Sequence, residues 1–163
     1  MAERSVLDLN KRIATQVVAA QCKQFSPTDV ERSIDQSFAK DFVVHDTFPG
    51  LAQDIAGTKQ WNAAIREAVP DYNVTIEDQF AEDDKVVTRW TARGTHKGKF
   101  QGIAPTGRQV SVTGMTISRY VGGKIAESWI ELDTLALMRQ LGADPSRDAR
   151  HPPEQGAGGV PAA

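Results

Sequence analysis

A chain of 163 residues and 17.8 kDa is long enough for one compact domain and leaves little for a second. With 40% hydrophobic and 25% charged residues it has the composition of an ordinary globular protein, and no apolar run is long enough to span a bilayer. Lysine and arginine number 19 against 21 aspartates and glutamates, and a formal charge of -2 argues against nucleic-acid binding. The single cysteine, Cys22, excludes an internal disulfide and multi-cysteine zinc motifs. The N-terminal residues are charged where a signal peptide would be apolar, so we expect a cytoplasmic protein.

The first half of the chain has the periodicity of amphipathic helices, with one short apolar strand between the second and the third. Ser5 is a candidate N-cap for the first helix, and a capping-box pattern from Thr28 to Glu31 opens the second. A third helix starts near Thr58 and has Trp61 on its buried side. The short strand covers residues 42–46. The other apolar positions that define the helical faces are Val6, Ile13, Val17, Val18, Val30, Ile34, Phe38 and Ile65.

The second half alternates apolar and polar residues with the period of strands. We predict strands over residues 72–80, 85–96, 110–120 and 125–132, the last two joined by a tight turn at the Gly-Gly pair. A short helix follows over residues 133–141, with Asp133 as N-cap and Gly142 as its end. The domain is therefore predicted to span residues 1–142, and residues 143–163, which lack apolar periodicity, are predicted to be a disordered tail.

Helices that precede a run of consecutive strands indicate the α+β class. We expect a curled antiparallel sheet that packs against the N-terminal helices and encloses an incompletely filled apolar cavity. Such cavities bind small apolar ligands.

Two adjacent residues at the end of the short strand, His45 and Asp46, are the first candidates for catalysis. Either one, placed in an apolar pocket, could act as a general base or acid, because desolvation raises the pKa of a carboxylate towards neutrality. Alternatively, Asp46 caps the turn and His45 is a satisfied core residue. Adjacent strand residues point to opposite faces, so only one of them can enter the cavity unless the strand breaks there.

The last strand allows two registers. In the first, Trp129 and Glu131 face the cavity, and Glu131 is a buried carboxylate able to act as a base. In the second, Ser128 and Ile130 face it, and the wall is apolar with one hydroxyl. Other residues that we expect to contact a substrate are Trp61, Tyr72 and Trp90.

Residues 42–142 resemble the SnoaL-like polyketide cyclase family of the nuclear-transport-factor-2-like superfamily. The motifs that carry the resemblance are VVHDTFPG, REAVPDYNVTIED, RWTARGTHKGKFQGIAPTGRQV and GGKIAESWIELDTLALMRQLG. The resemblance implies a cone-shaped α+β fold, often a homodimer, and ring closure on a polyketide intermediate by intramolecular aldol chemistry without metal or cofactor.

Two family residues are replaced in this sequence. The acidic acid/base group of the last strand falls on Ile130, and a histidine of the preceding strand falls on Thr116. Both departures count against the standard aldol mechanism and favour the register in which Ser128 and Ile130 face the cavity. The segment HDTFPG is similar to the one in which ketosteroid isomerases carry their base, which singles out Asp46.

The sequence therefore predicts a cofactor-independent cyclase or isomerase that acts on a small apolar natural-product intermediate. Either Asp46 or His45 removes a proton beside a carbonyl while Thr116, Ser128 or Trp90 donates to the enolate oxygen, or the pocket only folds the substrate for a pericyclic closure. A non-catalytic binding module of the same fold is the alternative, and an epoxide hydrolase using Glu131 or Asp46 is a further one. No metal, nucleic-acid or membrane partner is expected.

Overall fold

The computed structural model describes residues 2–45 and 50–143. Asp46, predicted as a base, and residues 144–163 of the predicted tail lie outside this part of the chain. The elements of the described residues, in chain order, are α1 (Ala2–Ala20), α2 (Pro27–Ser37), β1 (Phe38–His45), α3 (Ile55–Ala68), β2 (Asn73–Glu82), β3 (Lys85–Thr95), β4 (Gln109–Val121), β5 (Lys124–Leu132) and α4 (Thr134–Leu141).

The five strands form one mixed, curled and unclosed sheet in the order β1-β5-β4-β3-β2. Strands β2 to β5 form the predicted antiparallel meander, and β1 pairs with β5 in parallel. The α+β class is confirmed, with β1 as the one departure from an antiparallel sheet. Since α3 and three strands separate β1 from β5 in the chain, no hairpin forces the two strands to be antiparallel. Register shifts in three of the four strand pairings accompany the curl of the sheet.

The helix ends show which of the predicted capping residues cap a helix in the structure. Ser5 lies inside α1, so the predicted N-cap is wrong. The capping box of α2 begins at Ser26, two residues before the predicted position: the Ser26 hydroxyl accepts the Asp29 N–H at 3.2 Å, and the Asp29 carboxylate accepts the Ser26 N–H at 3.1 Å. Proline at the first helical position fits this register because its missing N–H would be unpaired there. Asp133 caps α4 by accepting the Ala136 N–H at 2.9 Å, and Gly142 ends it at a φ of 89°, both as predicted.

Two apolar clusters join the helices to one face of the sheet. The first connects α1, α2, β1 and the start of β5, and the second connects α3, α4 and the glycine-rich loop after β3. We call the helix-covered side of the sheet the inner face and the other side the outer face. None of the helices in the described part of the chain is long and apolar enough to cross a membrane.

Candidate functional site: an apolar cavity under the helices

A cavity of about 180 Å³ lies between the helices and the inner face of the sheet. An engineered protein cavity of about 150 Å³ holds benzene, so this space suits a group of about the size of one substituted ring. No Asp or Glu among the described residues lines it. Apolar side chains make up most of its wall, among them Ala14, Val17, Phe38, Phe42, Val44, Trp61, Ile65, Val69, Ala92, Phe100, Val112, Ile130, Leu132, Leu137 and Leu141.

The structure selects the second register of the last strand. Ser128 and Ile130 line the cavity, and Ser128 is only 5% exposed. Trp129 and Glu131 lie on the outer face, where Glu131 is exposed. The structure therefore does not place Glu131 or Trp129 at the cavity. The alternation of β5 decides all four positions together, because successive strand residues point to opposite faces.

Four hydroxyl side chains interrupt the apolar wall on neighbouring strands: Thr88, Thr116, Ser118 and Ser128, which we call the hydroxyl cluster. Thr88 pairs with Thr116 across β3 and β4, and Ser118 pairs with Ser128 across β4 and β5. The Ser118 and Ser128 oxygens are 3.2 Å apart, and the Gln79 side-chain amide donates to the Thr88 oxygen at 3.1 Å. Only one of the two serine hydroxyls can donate in their mutual bond, so the other proton is available to a ligand.

Trp90 and Thr116, both predicted to contact substrate, line the cavity as a hydrogen-bonded pair. The indole N–H of Trp90 donates to the Thr116 hydroxyl oxygen at 3.0 Å. Gly114, directly opposite Trp90 on β4, makes this arrangement possible, since a Cβ there would come within 2.5 Å of the indole ring. Because the Trp90 donor is already used, the Thr116 hydroxyl is the member of the pair that can donate to a ligand.

Trp61 and Tyr72 also line the cavity. The Trp61 ring contacts the Phe100 ring edge to face, with centroids 6.0 Å apart. Burial raises the pKa of the Tyr72 phenol, so its hydroxyl is protonated at neutral pH and can donate a hydrogen bond.

His45 lies on the outer face, stacked on Trp129 with ring centroids 4.7 Å apart and ring planes 10° from parallel. Its Nε2 is 3.2 Å from a carboxylate oxygen of Glu127, which also pairs with Arg119. The hydrogen bond from Arg119, followed by that from His45, holds the pKa of Glu127 below its usual value. This placement does not fit the predicted role of His45 as a base or acid inside the cavity.

The outer face carries a continuous row of apolar and aromatic residues across all five strands. Each member is the register partner of the next, in the order Phe80, Val87, Ile117, Trp129, His45, and we call this set the outer apolar row. Phe80 is 66% exposed and Ile117 is 37% exposed. Next to this row, Asp78 and Arg89 form an ion pair.

A buried histidine outside the predicted site residues, His96, lines the cavity directly after β3. It is 1% exposed, and its Nδ1 lies 3.0 Å from the Thr106 hydroxyl and 3.3 Å from the Thr106 backbone nitrogen. Its Nε2 is buried and has no hydrogen-bond partner among the described residues. The alternation of β3 predicts an inner-face position for His96, because His96 continues the series of Val86, Thr88, Trp90 and Ala92.

The chain on either side of His96 is held by several bonds. The Asp71 carboxylate accepts the Thr95 N–H at 2.6 Å and the Thr95 hydroxyl at 2.8 Å, and these bonds lower the pKa of Asp71. Lys97 and Gly98 both donate their N–H to the Ala68 carbonyl at the end of α3. Gly98 is required there, because a Cβ would come within 2.3 Å of the Glu67 carbonyl oxygen.

The structure defines a small α+β protein with a curled, unclosed sheet and a mostly apolar cavity under the helices. The chain belongs to the SnoaL-like polyketide cyclase family, whose model matches residues 16–141. No curated protein matches the chain. In the described residues, no group of three His, Cys, Asp or Glu side chains is placed to hold a metal ion.

Solved structures similar to this chain share its fold. A candidate SnoaL-like polyketide cyclase from Jannaschia sp. CCS1 is 22% identical with a TM-score of 0.75, over 86% of this chain and 96% of that one. AclR, a candidate hydroxylase from Streptomyces galilaeus, is 26% identical with a TM-score of 0.73, over 85% and 88%. IdmH, a candidate polyketide cyclase from Streptomyces antibioticus, is 28% identical with a TM-score of 0.68, over 82% and 98%.

Proposed function

We propose that the protein is a cofactor-independent cyclase or isomerase that closes a ring on a small, apolar, polyketide-like intermediate inside the cavity. The observation that carries this proposal is the hydroxyl cluster, a set of hydrogen-bonding groups on three adjacent strands within a mostly apolar wall. An apolar wall favours a carbon-rich substrate, and a few hydroxyls can orient its carbonyl groups. Membership of the polyketide cyclase family supports the same substrate class.

In an acid/base route, a base removes a proton from a carbon next to a carbonyl group. The enolate carbon then bonds to a second carbonyl carbon, and the new alkoxide oxygen takes up a proton. The Thr116 hydroxyl and the free hydroxyl of the Ser118–Ser128 pair would donate to the enolate oxygen, and such donors are stronger in an enclosed apolar site than in water. Asp46 remains our prediction for the base.

In a second route, the cavity only folds the substrate into a reactive conformer, as in a pericyclic closure. Ideal orientation of two reacting groups can lower a barrier by about 7 kcal/mol or more without proton transfer. The lack of a carboxylate among the described lining residues, together with Ile130 at the position of the family's acid, supports this route.

Two other functions remain as alternatives. A non-catalytic binding module would use the same cavity. Proteins of this fold carry names for more than one chemistry, and AclR, a candidate hydroxylase, is an example. An epoxide hydrolase needs a carboxylate at the substrate, and Glu131, one of its two candidate residues, lies on the outer face.

We also propose that a second copy of this chain covers the outer apolar row. A two-fold interface brings the same patch of each copy together. The row supports this assembly because it is apolar from Phe80 to Trp129 and carries ion pairs on both sides, Asp78 with Arg89 and Glu127 with Arg119.

The function can be tested with short poly-β-ketone thioesters, with ring-closed products detected by mass spectrometry and NMR. Ala92 is 2% exposed and lines the cavity, so Ala92→Leu should fill the space and lower turnover at least tenfold. The control is Thr113→Leu, which adds a leucine at an exposed outer-face position and should leave turnover unchanged. Circular dichroism should show both variants folded.

Equal turnover by Ala92→Leu and the wild-type protein would exclude the cavity as the reaction site, and tight binding without any turnover would favour the binding module. Asp46→Asn separates the two routes. A loss of turnover supports proton abstraction by Asp46, whereas full activity removes that route and leaves the templated closure.

A further inference from the structure

His96 combines near-complete burial with a fixed backbone. It is 1% exposed, its N–H donates to the Arg108 carbonyl at 2.9 Å, and its carbonyl accepts the Gly107 N–H at 2.9 Å. The loop that these two bonds close is tied to the end of α3 by the bonds from Lys97 and Gly98 to Ala68. The backbone that carries the ring is therefore fixed, and the ring itself is held by its burial and by its bonds to Thr106.

The bonds to Thr106 determine which ring nitrogen carries the proton. The Thr106 backbone N–H, which can only donate, points to Nδ1 at 3.3 Å. The Thr106 hydroxyl accepts the Arg108 N–H at 3.3 Å and has its own proton to give to Nδ1 at 3.0 Å. Nδ1 must then present its lone pair, and a neutral imidazole with an unprotonated Nδ1 carries its proton on Nε2.

This leaves a buried N–H donor at Nε2 that has no acceptor among the described residues. Unpaired donors are rare in protein interiors, because the lost bond to water is not replaced. His96 lines the cavity, so a ligand there can supply the missing acceptor. His96 follows the last residue of β3, whereas Thr88 lies near its first, so the cavity has hydrogen-bonding groups towards both ends of this strand.

We infer that the Nε2–H of a neutral His96 donates to a carbonyl or enolate oxygen of the ligand. This inference rests on the proposed function. It adds a second hydrogen-bonding group to the cavity and requires that the ligand carry an oxygen acceptor. With its proton on Nε2, His96 is a donor that stabilises negative charge on oxygen and is not a base towards the ligand. The site thus selects an apolar compound with an oxygen acceptor over a hydrocarbon of the same shape.

The test uses acetophenone and isopropylbenzene, which have the same number and connectivity of heavy atoms and differ in that a carbonyl oxygen of the first replaces a methyl group of the second. The wild-type protein should bind acetophenone more tightly by about two- to tenfold, the usual net effect of one hydrogen bond. His96→Phe should weaken this preference while still binding isopropylbenzene, because only the cavity hydroxyls are then left to donate to the carbonyl oxygen. His96→Gln, which keeps an amide N–H, should restore part of it. The matched control is Tyr120→Phe, which removes another buried unpaired group, one that does not line the cavity, and should leave the preference unchanged.

A ligand-free measurement keeps the inference testable if His96→Phe does not fold. Long-range ¹H–¹⁵N NMR of the wild-type imidazoles should show Nε2 protonated and Nδ1 unprotonated in His96, with Nε2 shifting when acetophenone is added. Protonation at Nδ1, or a carbonyl preference that is as large in folded His96→Phe as in the wild-type protein, would overturn the role of His96 while leaving the cavity as the binding site. Failure of both compounds to bind would overturn the proposed function and this inference with it.

Discussion

The inner and outer faces of the sheet are built by the same five strands and differ in what covers them. On the inner face the helices bury Ile125 to 2% exposure and leave a cavity with a few hydroxyls and one histidine. On the outer face no described element covers Ile117, its equivalent in residue type, which is 37% exposed beside Trp129. Apolar residues on both faces of a strand can therefore serve two purposes, and we propose a ligand cavity on the inner face and an interface with a second copy of the chain on the outer face.

The largest expected difference between the faces is in stability. Ile125→Ala should lower the free energy of unfolding by about 2–5 kcal/mol, because it removes buried methyl groups and leaves a void. Ile117→Ala should cost less than about 1 kcal/mol, because that side chain is partly exposed in the single chain. Urea unfolding at low protein concentration measures both values. Equal losses would show that the outer face is buried as deeply as the inner one.

A smaller effect is expected at the end of β3, where Asp71 holds the chain next to His96. Asp71→Ala removes two hydrogen bonds to a carboxylate and should destabilise the fold by about 1–2 kcal/mol at neutral pH. Because the folded pKa of Asp71 lies below its usual value of 3.8, this stabilisation is present above about pH 4 and is lost as the pH falls through the lowered pKa.

Thermal unfolding of the wild-type protein and Asp71→Ala between pH 7 and pH 2 measures this contribution. The difference in Tm between the two should shrink as the pH falls. A difference that stays constant to pH 2 would contradict the role of the ionised carboxylate.

The smallest effect on stability is expected in the outer apolar row, where Ile117→Lys tests the proposed dimer. A lysine at this exposed position should change the stability of the single chain by about 0.5 kcal/mol or less. It should nevertheless shift the protein from dimer to monomer in sedimentation velocity, because burying a charged lysine in an apolar two-fold interface costs the hydration of that charge in both copies. Leu135→Lys on α4 is the control, since Leu135 is 46% exposed and lies away from the row. A monomeric wild-type protein would remove the dimer proposal.

Individual residues show which parts of the candidate site could be predicted from the sequence. Six predicted substrate contacts line the cavity: Trp61, Tyr72, Trp90, Thr116, Ser128 and Ile130. His45 on β1 and Trp129 and Glu131 on β5 do not, because strand alternation assigns whole sets of residues to a face and both faces of β5 carry apolar and polar residues. His96 could have been found from the period of β3, but its unpaired Nε2 depends on Thr106, which is ten residues away in the chain and in contact only after folding.

The sequence by itself determined the order of the elements, the α+β class, the cap at Asp133 and the turn at Gly142, because these depend on periodicity and on contacts within a few residues. Only the tertiary structure decided which face of β5 the helices cover, that β1 is parallel to β5, and that His96 has one paired and one unpaired nitrogen. These features arise from contacts between residues far apart in the chain. When a strand carries apolar residues on both faces, the elements that pack against it decide which face is buried.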